Sequence, residues 1–262
     1  MTDWLALCRA AVEDVHGVLA ELPTRAEREP VTGAGMGGDE TTAVDSAAER
    51  AVLAHFGAVD DVTIVSEELG VAGDGGTYVV VDPIDGSLNA KRGIGFFSLS
   101  VAVADGPTMG DVRFGFVHDF GTGEEWTAAR GDGAFLHGRA LEGDRPKDRI
   151  EILAFEATRT SSVAEKAAAV VELAYRLRIM GSLALSLCHL AAGRVDAVCS
   201  LKPARSVDIA AAQLLVRERG LAIELFEDPP FDAAPLDVEG RSRVVAAGTP
   251  ELCRQLATAL SA

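Results

Sequence analysis

The chain has little lysine and a deficit of positive charge. Its 262 residues include 24 Lys or Arg and 40 Asp or Glu, and the formal net charge is −16 at pH 7. Such a charge repels nucleic-acid phosphates and anionic membrane surfaces, so we expect neither as a partner. Lysine occurs only four times, at Lys91, Lys147, Lys166 and Lys202.

The excess of acid over lysine resembles the composition of proteins from salt-loving archaea. In molar salt the Debye length is only ~3 Å, so the self-repulsion of an acidic surface is screened. We therefore predict a halophilic archaeal protein. The alternative is an ordinary acidic protein from a high-GC organism.

Long apolar runs are absent, and cysteine is scarce. No stretch reaches the roughly 18 uninterrupted apolar residues of a membrane span, and the N-terminus lacks the positive flank and apolar core of a signal peptide. These features predict a cytoplasmic protein. The four cysteines form no Cys-x-x-Cys pair, which predicts buried free thiols and argues against a zinc site.

Hydrophobic periodicity predicts alternating helices and strands without internal repeats. Residues 30–39 form a Gly-rich loop, and polar residues 142–149 mark the boundary between two lobes, 1–148 and 149–262. The predicted helices are 3–22, about 42–56, 162–173, 182–192, 207–219 and 250–260. The predicted strands are 62–66, 77–82, 97–104, 112–118, a hairpin at 124–136, 150–155, 176–179, 197–200, 222–226 and 243–247.

The most informative segment is Val-Val-Val-Asp-Pro-Ile-Asp-Gly-Ser-Leu-Asn at residues 79–89. Its three β-branched residues predict a buried strand. Asp82 and Asp85 follow at the strand end, separated by a stiffening proline and an isoleucine. Gly86 and Ser87 then offer backbone N–H groups to an anion. One short segment thus supplies hard oxygen ligands for a cation and donors for a phosphate, which suits metal-assisted phosphate ester chemistry.

Two further acidic segments complete this pattern. Glu67 and Glu68 end the apolar run at 64–68, and Asp208 opens an Ala-rich helical pattern at 206–212. A merely acidic surface does not explain why these acids end apolar runs, so we interpret them as parts of one site. Carboxylates brought together repel one another, and divalent cations resolve that conflict.

These segments resemble the inositol monophosphatase family, part of the lithium-sensitive, magnesium-dependent sugar phosphatase superfamily, over residues 39–220. The specific element is the central Asp-Pro-Ile-Asp-Gly-Ser motif. The resemblance implies an α+β or α/β layered αβαβα sandwich, the sugar phosphatase fold. It places the metal site between the two lobes, the substrate pocket in the second lobe, and predicts a homodimer.

The same resemblance implies two or three Mg²⁺ ions. Glu67, Asp82 and the backbone carbonyl of Ile84 are expected to bind the first ion. Asp82, Asp85 and Asp208 are expected to bind the second. A valine precedes Asp208 where the family commonly has tryptophan, but the aspartate still opens a helix, where its charge meets the positive end of the dipole.

The family orients the attacking water with a hydroxyl residue in the central motif and an upstream aspartate, which correspond here to Ser87 and Asp45. Asp45 is alternatively a plain helix N-terminal residue. Glu68 joins Glu67 in the expected catalytic set, behind the primary ligands. Asp39 matches a loop position that helps bind a third ion. The phosphate is expected on the backbone N–H groups of Ser87 and the glycine before it.

A Gly-Ser-Leu-Ala-Leu segment beginning at Gly181 resembles the family's Gly-Ser-Ala-Ala-Leu segment, which lines the polyol pocket. Gly181 permits close approach, and Ser182 is expected to cap a helix whose N–H groups face an anion. Arg178, Lys202 and Arg205 are candidates for a second phosphate, and each is alternatively a surface charge.

We therefore predict an Mg²⁺-dependent hydrolase for a sugar or polyol phosphate, acting through a metal-activated water. Fructose 1,6-bisphosphate is the leading substrate and inositol 1-phosphate the second. A 3′-phosphoadenosine-type nucleotidase and a catalytically inactive regulatory protein on the same fold are the alternatives. No protein nucleophile is needed, and His118 and His137 are interpreted as structural.

Overall fold

A computed structural model describes residues 2–36, 40–142, 149–156, 159–227 and 229–261. Asp39 and positions 143–148 of the expected lobe boundary lie outside the described residues. The helices are α1 (Trp4–Glu21), α2 (Arg25–Arg28), α3 (Ala43–Phe56), α4 (Ser87–Arg92), α5 (Thr160–Ala167), α6 (Leu183–Ala191), α7 (Ser206–Glu218) and α8 (Pro250–Ser261).

The strands fall into a short hairpin and two larger sheets. They are β1 (Val31–Ala34), β2 (Glu40–Thr42), β3 (Val62–Ser66), β4 (Gly70–Ala72), β5 (Thr77–Asp85), β6 (Ser98–Ala104), β7 (Val112–Asp119), β8 (Glu125–Ala129), β9 (Gly133–Leu136), β10 (Arg139–Ala140), β11 (Ile150–Glu156), β12 (Ala174–Arg178), β13 (Ala197–Ser200), β14 (Ala222–Leu225) and β15 (Val244–Ala247).

The first large sheet has eight strands in the order β10-β9-β8-β7-β6-β5-β3-β4. Its pairs are antiparallel except β3 with β5, which run in parallel. The second sheet has five strands in the order β12-β11-β13-β15-β14, and β11 runs parallel to both of its neighbours. Strands β3 and β5 therefore end at the same edge of the first sheet, which brings their terminal acids together.

Helices separate and cover the two sheets. Helices α1 and α3 pack on one face of the eight-stranded sheet, α6 and α7 lie between the sheets, and α8 packs on the outer face of the five-stranded sheet. Buried apolar clusters fill each of these interfaces. The predicted αβαβα sandwich is confirmed. No helix in the described ranges combines the length and apolarity that a membrane span requires.

Helix α7, which carries Asp208, can lie deep between the sheets because its residues are small or apolar. Ala210, Ala211 and Ala212 are all buried. The helix contacts β5, β6, β7, β8 and β9 on one side and β14 on the other. Small side chains allow this close approach, and they fix the position of the aspartate at the start of the helix.

Gly115 on β7 marks a close contact between the sheet and α7. A Cβ at this position would lie 2.5 Å from the carbonyl oxygen of Ala211. We expect Gly115→Ala to lower the free energy of unfolding by about 1–3 kcal/mol, because either the strand or the helix must move. Urea denaturation measures the loss. The matched control is Gly17→Ala in α1, where a Cβ meets nothing within 4 Å; it should stabilise by up to about 1 kcal/mol. Equal losses in both variants would contradict the packing argument.

Most predicted elements are confirmed, and the differences concern short segments. The predicted Gly-rich loop at 30–39 contains β1, which pairs antiparallel with β2 just beyond the loop. Helix α4 begins at Ser87, the last residue of the central motif, because Gly86 adopts a left-handed conformation with φ 98° and turns the chain. The helix predicted at 162–173 is wrong in its last part. It ends at Ala167 and continues as a 3₁₀ turn, because the chain must reverse before β12 begins at Ala174.

Candidate active site

A cavity of about 290 Å³ lies between residues of the two predicted lobes. Its lining contains eight carboxylates and three cations. The carboxylates are Glu40, Asp45, Glu67, Glu68, Asp82, Asp85, Glu156 and Asp208. The cations are Lys91, Lys202 and Arg205. The four primary carboxylate ligands expected from the sequence, Glu67, Asp82, Asp85 and Asp208, are thus brought to one cavity.

A bulge in β5 puts two of these acids on the same side of the sheet. Asp82 pairs with Ser100 and Asp85 with Ser98, so three residues of β5 oppose two of β6. In a regular strand, residues three apart point to opposite faces. The extra residue falls next to Pro83, which cannot donate a ladder hydrogen bond. The bulge therefore restores a common direction for the two carboxylates, and both line the cavity.

Glu67 and Glu68 follow β3 and are held by different partners. Arg205 donates a hydrogen bond to Glu67, and Thr41 donates one to Glu68. The turn itself is fixed by Glu49 of α3, which accepts hydrogen bonds from the Ser66 hydroxyl at 2.5 Å and from the Glu68 N–H at 3.2 Å. Sequence reasoning missed Glu49, because nothing in its helical context distinguishes it from a surface acid.

Asp45 stands in the first turn of α3. Its Oδ2 accepts hydrogen bonds from the Thr42 N–H at 3.1 Å and from the Thr42 hydroxyl at 2.5 Å. Its Oδ1 is buried and has no hydrogen-bond partner among the described residues. One oxygen of Asp45 therefore caps the helix, and the catalytic role of the residue stays a prediction.

Asp85 is held by residues at the start of α6. The Ser182 hydroxyl donates a hydrogen bond to its Oδ2, and the Ala184 N–H at the start of α6 donates another at 2.8 Å. Ser182 also caps α6, as the Leu185 N–H donates to its hydroxyl at 3.2 Å. The sequence predicts Ser182 as a substrate contact, but only 1% of it is exposed. In this structure the anion at the helix start is Asp85, while Gly181 lines the cavity.

Removing the Ser182 hydroxyl should loosen Asp85 without removing a carboxylate. We expect Ser182→Ala to raise the magnesium concentration for half-maximal activity roughly 10-fold or more, the usual cost of losing a partner that orients a ligand. Ser182→Thr keeps the hydroxyl and serves as the matched control. A magnesium titration of phosphate release measures the effect. An unchanged half-saturation point in Ser182→Ala would show that Asp85 needs no such support.

Two residues that sequence reasoning missed fix the turn before α6. The Asn89 amide donates hydrogen bonds to the Met180 carbonyl at 2.7 Å and to the Phe96 carbonyl at 2.8 Å. Glu156 accepts from the Gly181 N–H at 2.9 Å and also lines the cavity. Glu156 is an acid at the end of an apolar strand, which is the signal that identified Glu67. The same signal in the sequence could therefore have identified Glu156.

Gly86 and Ser87 form the turn between β5 and α4, and both line the cavity. The Ser87 hydroxyl donates to the Ile84 carbonyl at 3.0 Å, so these two predicted site residues are in direct contact. The first N–H groups of a helix have no partner within the helix. The turn therefore presents donors to the same space that the carboxylates surround.

Burial and mutual repulsion disfavour charge on these acids. The pKa of Glu67 rises to about 8, chiefly because of burial and in spite of nearby Arg205. Burial, with a contribution from Asp208, raises the pKa of Asp85 to about 7. Burial followed by the charges of Glu67 and Asp85 holds the pKa of Asp82 well above its ordinary value. Ionisation of these carboxyls is therefore unfavourable unless a cation binds beside them.

The chemistry of this donor set fits hard divalent cations. Glu67, Asp82, Asp85, Asp208 and the Ile84 carbonyl could hold them, because such ions prefer carboxylate and carbonyl oxygens. Within the described ranges, no three acidic, His or Cys side chains already form a group that could hold one ion. Arg205 brings positive charge directly beside these acids, because it hydrogen bonds to Glu67 and lies 3.5 Å from Asp208 Oδ1.

The remaining sequence candidates separate by position. Lys202 lines the cavity, whereas Arg178 is exposed on β12 and lies outside it. Arg205, a candidate for binding a second phosphate, lies in the cavity but pairs with Glu67 and Asp208. His118 and His137 line a separate cavity, together with Arg9 and Glu125, which agrees with their exclusion from the chemistry.

Comparisons with known proteins bear on this cavity. Residues 5–261 match the model of the inositol monophosphatase family. A fructose-1,6-bisphosphatase/inositol-1-monophosphatase of Methanothermobacter thermautotrophicus is 34% identical over 266 residues, covering 95% of this chain and 93% of the relative. A protein of the same name from Archaeoglobus fulgidus is 31% identical over 249 residues, 94% of this chain and 93% of the relative.

A solved structure shares the fold of this chain. The crystal structure of an inositol monophosphatase–fructose 1,6-bisphosphatase superposes with a TM-score of 0.85 at 28% identity, over 98% of this chain and all of the other. The match therefore includes both sheets. The chain belongs to the inositol monophosphatase family.

Proposed function

We propose that the chain is an Mg²⁺-dependent phosphate monoester hydrolase that acts on a sugar or polyol phosphate. The observation that carries the proposal is the convergence of eight carboxylates and the Gly86-Ser87 turn on one cavity. When bound, magnesium supplies positive charge to the phosphate oxygens and lowers the pKa of the attacking water. Glu67, Asp82, Asp85, Asp208 and the Ile84 carbonyl would hold two or three ions.

The protein's own groups orient the water and the phosphate. Oδ1 of Asp45, buried and without a partner among the described residues, is the acceptor for a proton of the water. The Ser87 hydroxyl donates to Ile84 and keeps its lone pairs for the second proton. Backbone N–H groups of Gly86 and Ser87 donate to the phosphate oxygens. Glu68, fixed by Thr41, supports this arrangement from behind the ligands.

The leading substrate is fructose 1,6-bisphosphate, with inositol 1-phosphate second. Both agree with the names of the archaeal relatives. A 3′-phosphoadenosine-type nucleotidase is the third candidate. A homodimer, a cytoplasmic location and a role of lobe 149–262 in substrate binding remain predictions of the sequence.

Phosphate release tests the proposal. The assay uses magnesium and high potassium chloride and compares fructose 1,6-bisphosphate, inositol 1-phosphate and 3′-phosphoadenosine 5′-phosphate, with Asp85→Asn protein as the blank. We expect magnesium-dependent turnover of at least one of the first two. A preference for 3′-phosphoadenosine 5′-phosphate would change the substrate class to nucleotides. If none of the three compounds were hydrolysed, a catalytically inactive regulatory protein on the same fold would be favoured.

A further inference from the structure

A second cavity, of about 490 Å³, lies between α1 and the strands β7 and β8. It is lined by Arg9 and Glu13 of α1, His118 of β7, Glu125 of β8 and His137 after β9. The ring of His16 packs against that of His118, so three of the five histidines of the chain lie in or beside this cavity. The proposed phosphate chemistry uses none of them.

His118 has an incomplete set of hydrogen bonds. Only 8% of this residue is exposed, and its Nε2 is buried without a hydrogen-bond partner among the described residues. A buried polar atom without a partner calls for a ligand. Burial, followed by the neighbouring His16, lowers the pKa of His118. Its ring is therefore neutral at pH 7, which is the form in which imidazole binds a metal ion.

His16 supplies a second imidazole at a suitable separation. It lies on the exposed side of α1, and its ring centroid is 5.6 Å from that of His118, with an angle of 82° between the ring planes. A tetrahedral ion with metal–nitrogen distances of about 2.0–2.1 Å holds two imidazole centroids roughly 5 Å apart. A small rotation of the exposed His16 ring closes the difference.

The charges around the two rings favour a cation over an anion. Asp119, Glu125 and Glu13 each act on His118 as negative charges. Arg9 neutralises Glu125, to which it donates two hydrogen bonds of 2.8 Å, and the other two acids leave the surroundings negative. Imidazole nitrogen suits copper, nickel and zinc, whereas Mg²⁺ prefers oxygen ligands. The ligand that fits is therefore a transition-metal cation.

We propose that His16 and His118 bind a divalent transition-metal ion, such as Cu²⁺ or Zn²⁺, at a site separate from the carboxylate cavity. Among the described residues, no three His, Cys or acidic side chains form a group that could hold one ion, so water completes the coordination of this one. The ion joins α1 to β7. The inference does not depend on the proposed hydrolase activity.

Aromatic packing is the competing explanation for this pair of histidines. Phe120 meets the rings of His16 and His118 edge to face, at centroid distances of 5.2 and 5.0 Å. If packing were the whole role of His16, phenylalanine at that position would serve equally well. A metal ion requires the ring nitrogen. The substitution His16→Phe therefore separates the two roles.

The test uses the full chain with Cu²⁺ as the probe and saturating magnesium present. Imidazole nitrogen splits the electron paramagnetic resonance signal of Cu²⁺, whereas the oxygen ligands of the carboxylate cavity do not. We expect a two-nitrogen splitting in the wild type. His16→Phe should remove the contribution of one nitrogen and weaken Cu²⁺ binding at this site at least roughly 10-fold, measured by calorimetry. His118→Phe should have the same effect.

His55→Phe is the matched control, because His55 pairs with Asp14 at 2.7 Å and lines neither cavity. It should leave both the spectrum and the affinity unchanged. Since His16 is exposed, its variant should fold normally, and thermal unfolding checks this. Oxygen ligation alone in the wild type, or a nitrogen splitting that persists in His16→Phe, would overturn the site. Equal weakening in His16→Phe and His55→Phe would also overturn it, because it would indicate uptake by any surface histidine.

Discussion

Asp85→Asn should lower magnesium-dependent phosphate release by roughly 1,000-fold. The carboxylate is buried at the bulge of β5, where it is expected to share the second ion with Asp82 and Asp208. A bound metal contributes several kcal/mol to the stabilisation of charge in such a reaction, and each 1.36 kcal/mol changes the rate tenfold. The loss should appear in the rate constant at saturating substrate.

The measurement is phosphate release over a magnesium titration, with calorimetry of magnesium binding alongside. Asp232→Asn is the matched control, because Asp232 is exposed and pairs with Arg217 at 2.7 Å outside the cavity. That variant should keep wild-type activity. An Asp85→Asn protein with more than about a tenth of wild-type activity would remove this carboxylate from the metal site.

The metal-free protein should lose stability as the pH rises from about 6.5 to 8, and magnesium should restore it. The pKa of Asp85 rises to about 7 and that of Glu67 to about 8, in each case chiefly through burial. An acid with a higher pKa in the folded state binds protons there preferentially. Stability is therefore lost as the pH climbs from the unfolded value of about 4 through the folded one.

We expect a loss of about 2 kcal/mol or more across this interval, measured by urea denaturation in a chelating buffer. Burial lowers the pKa of His118 and His189. These two groups make the free energy of unfolding increase with pH, mainly below pH 6.5. Saturating magnesium at 100 times its dissociation constant adds about 2.7 kcal/mol and flattens the slope.

Asp82→Asn provides the matched variant for this experiment. It removes one buried charge from the cluster, so the metal-free variant should be more stable than the wild type at pH 8. Magnesium should stabilise the variant less, because one ligand is gone. A metal-free wild type whose stability stays constant or increases over this interval would contradict the account of the carboxylates as a repelling group.

Local patterns determined much of this protein from the sequence. β-Branched runs predicted β3, β5 and β6, and the spacing of apolar residues predicted α1 and α7. Acids at the ends of apolar runs identified Glu67, Asp82, Asp85 and Asp208, which do line one cavity. These predictions succeed because strand and helix periodicity, and the chemistry of the central motif, depend on residues close together in the chain.

The tertiary structure decided which partner each acid has. Ser182 holds Asp85 across 97 positions of sequence, and Arg205 pairs with Glu67 across 138. Sequence reasoning gave both of these partners to the substrate instead. It also passed over Lys91, whose approach to the cavity depends on the left-handed turn that starts α4. Contacts between residues so far apart leave no local pattern, because packing of the two sheets around α6 and α7 creates them.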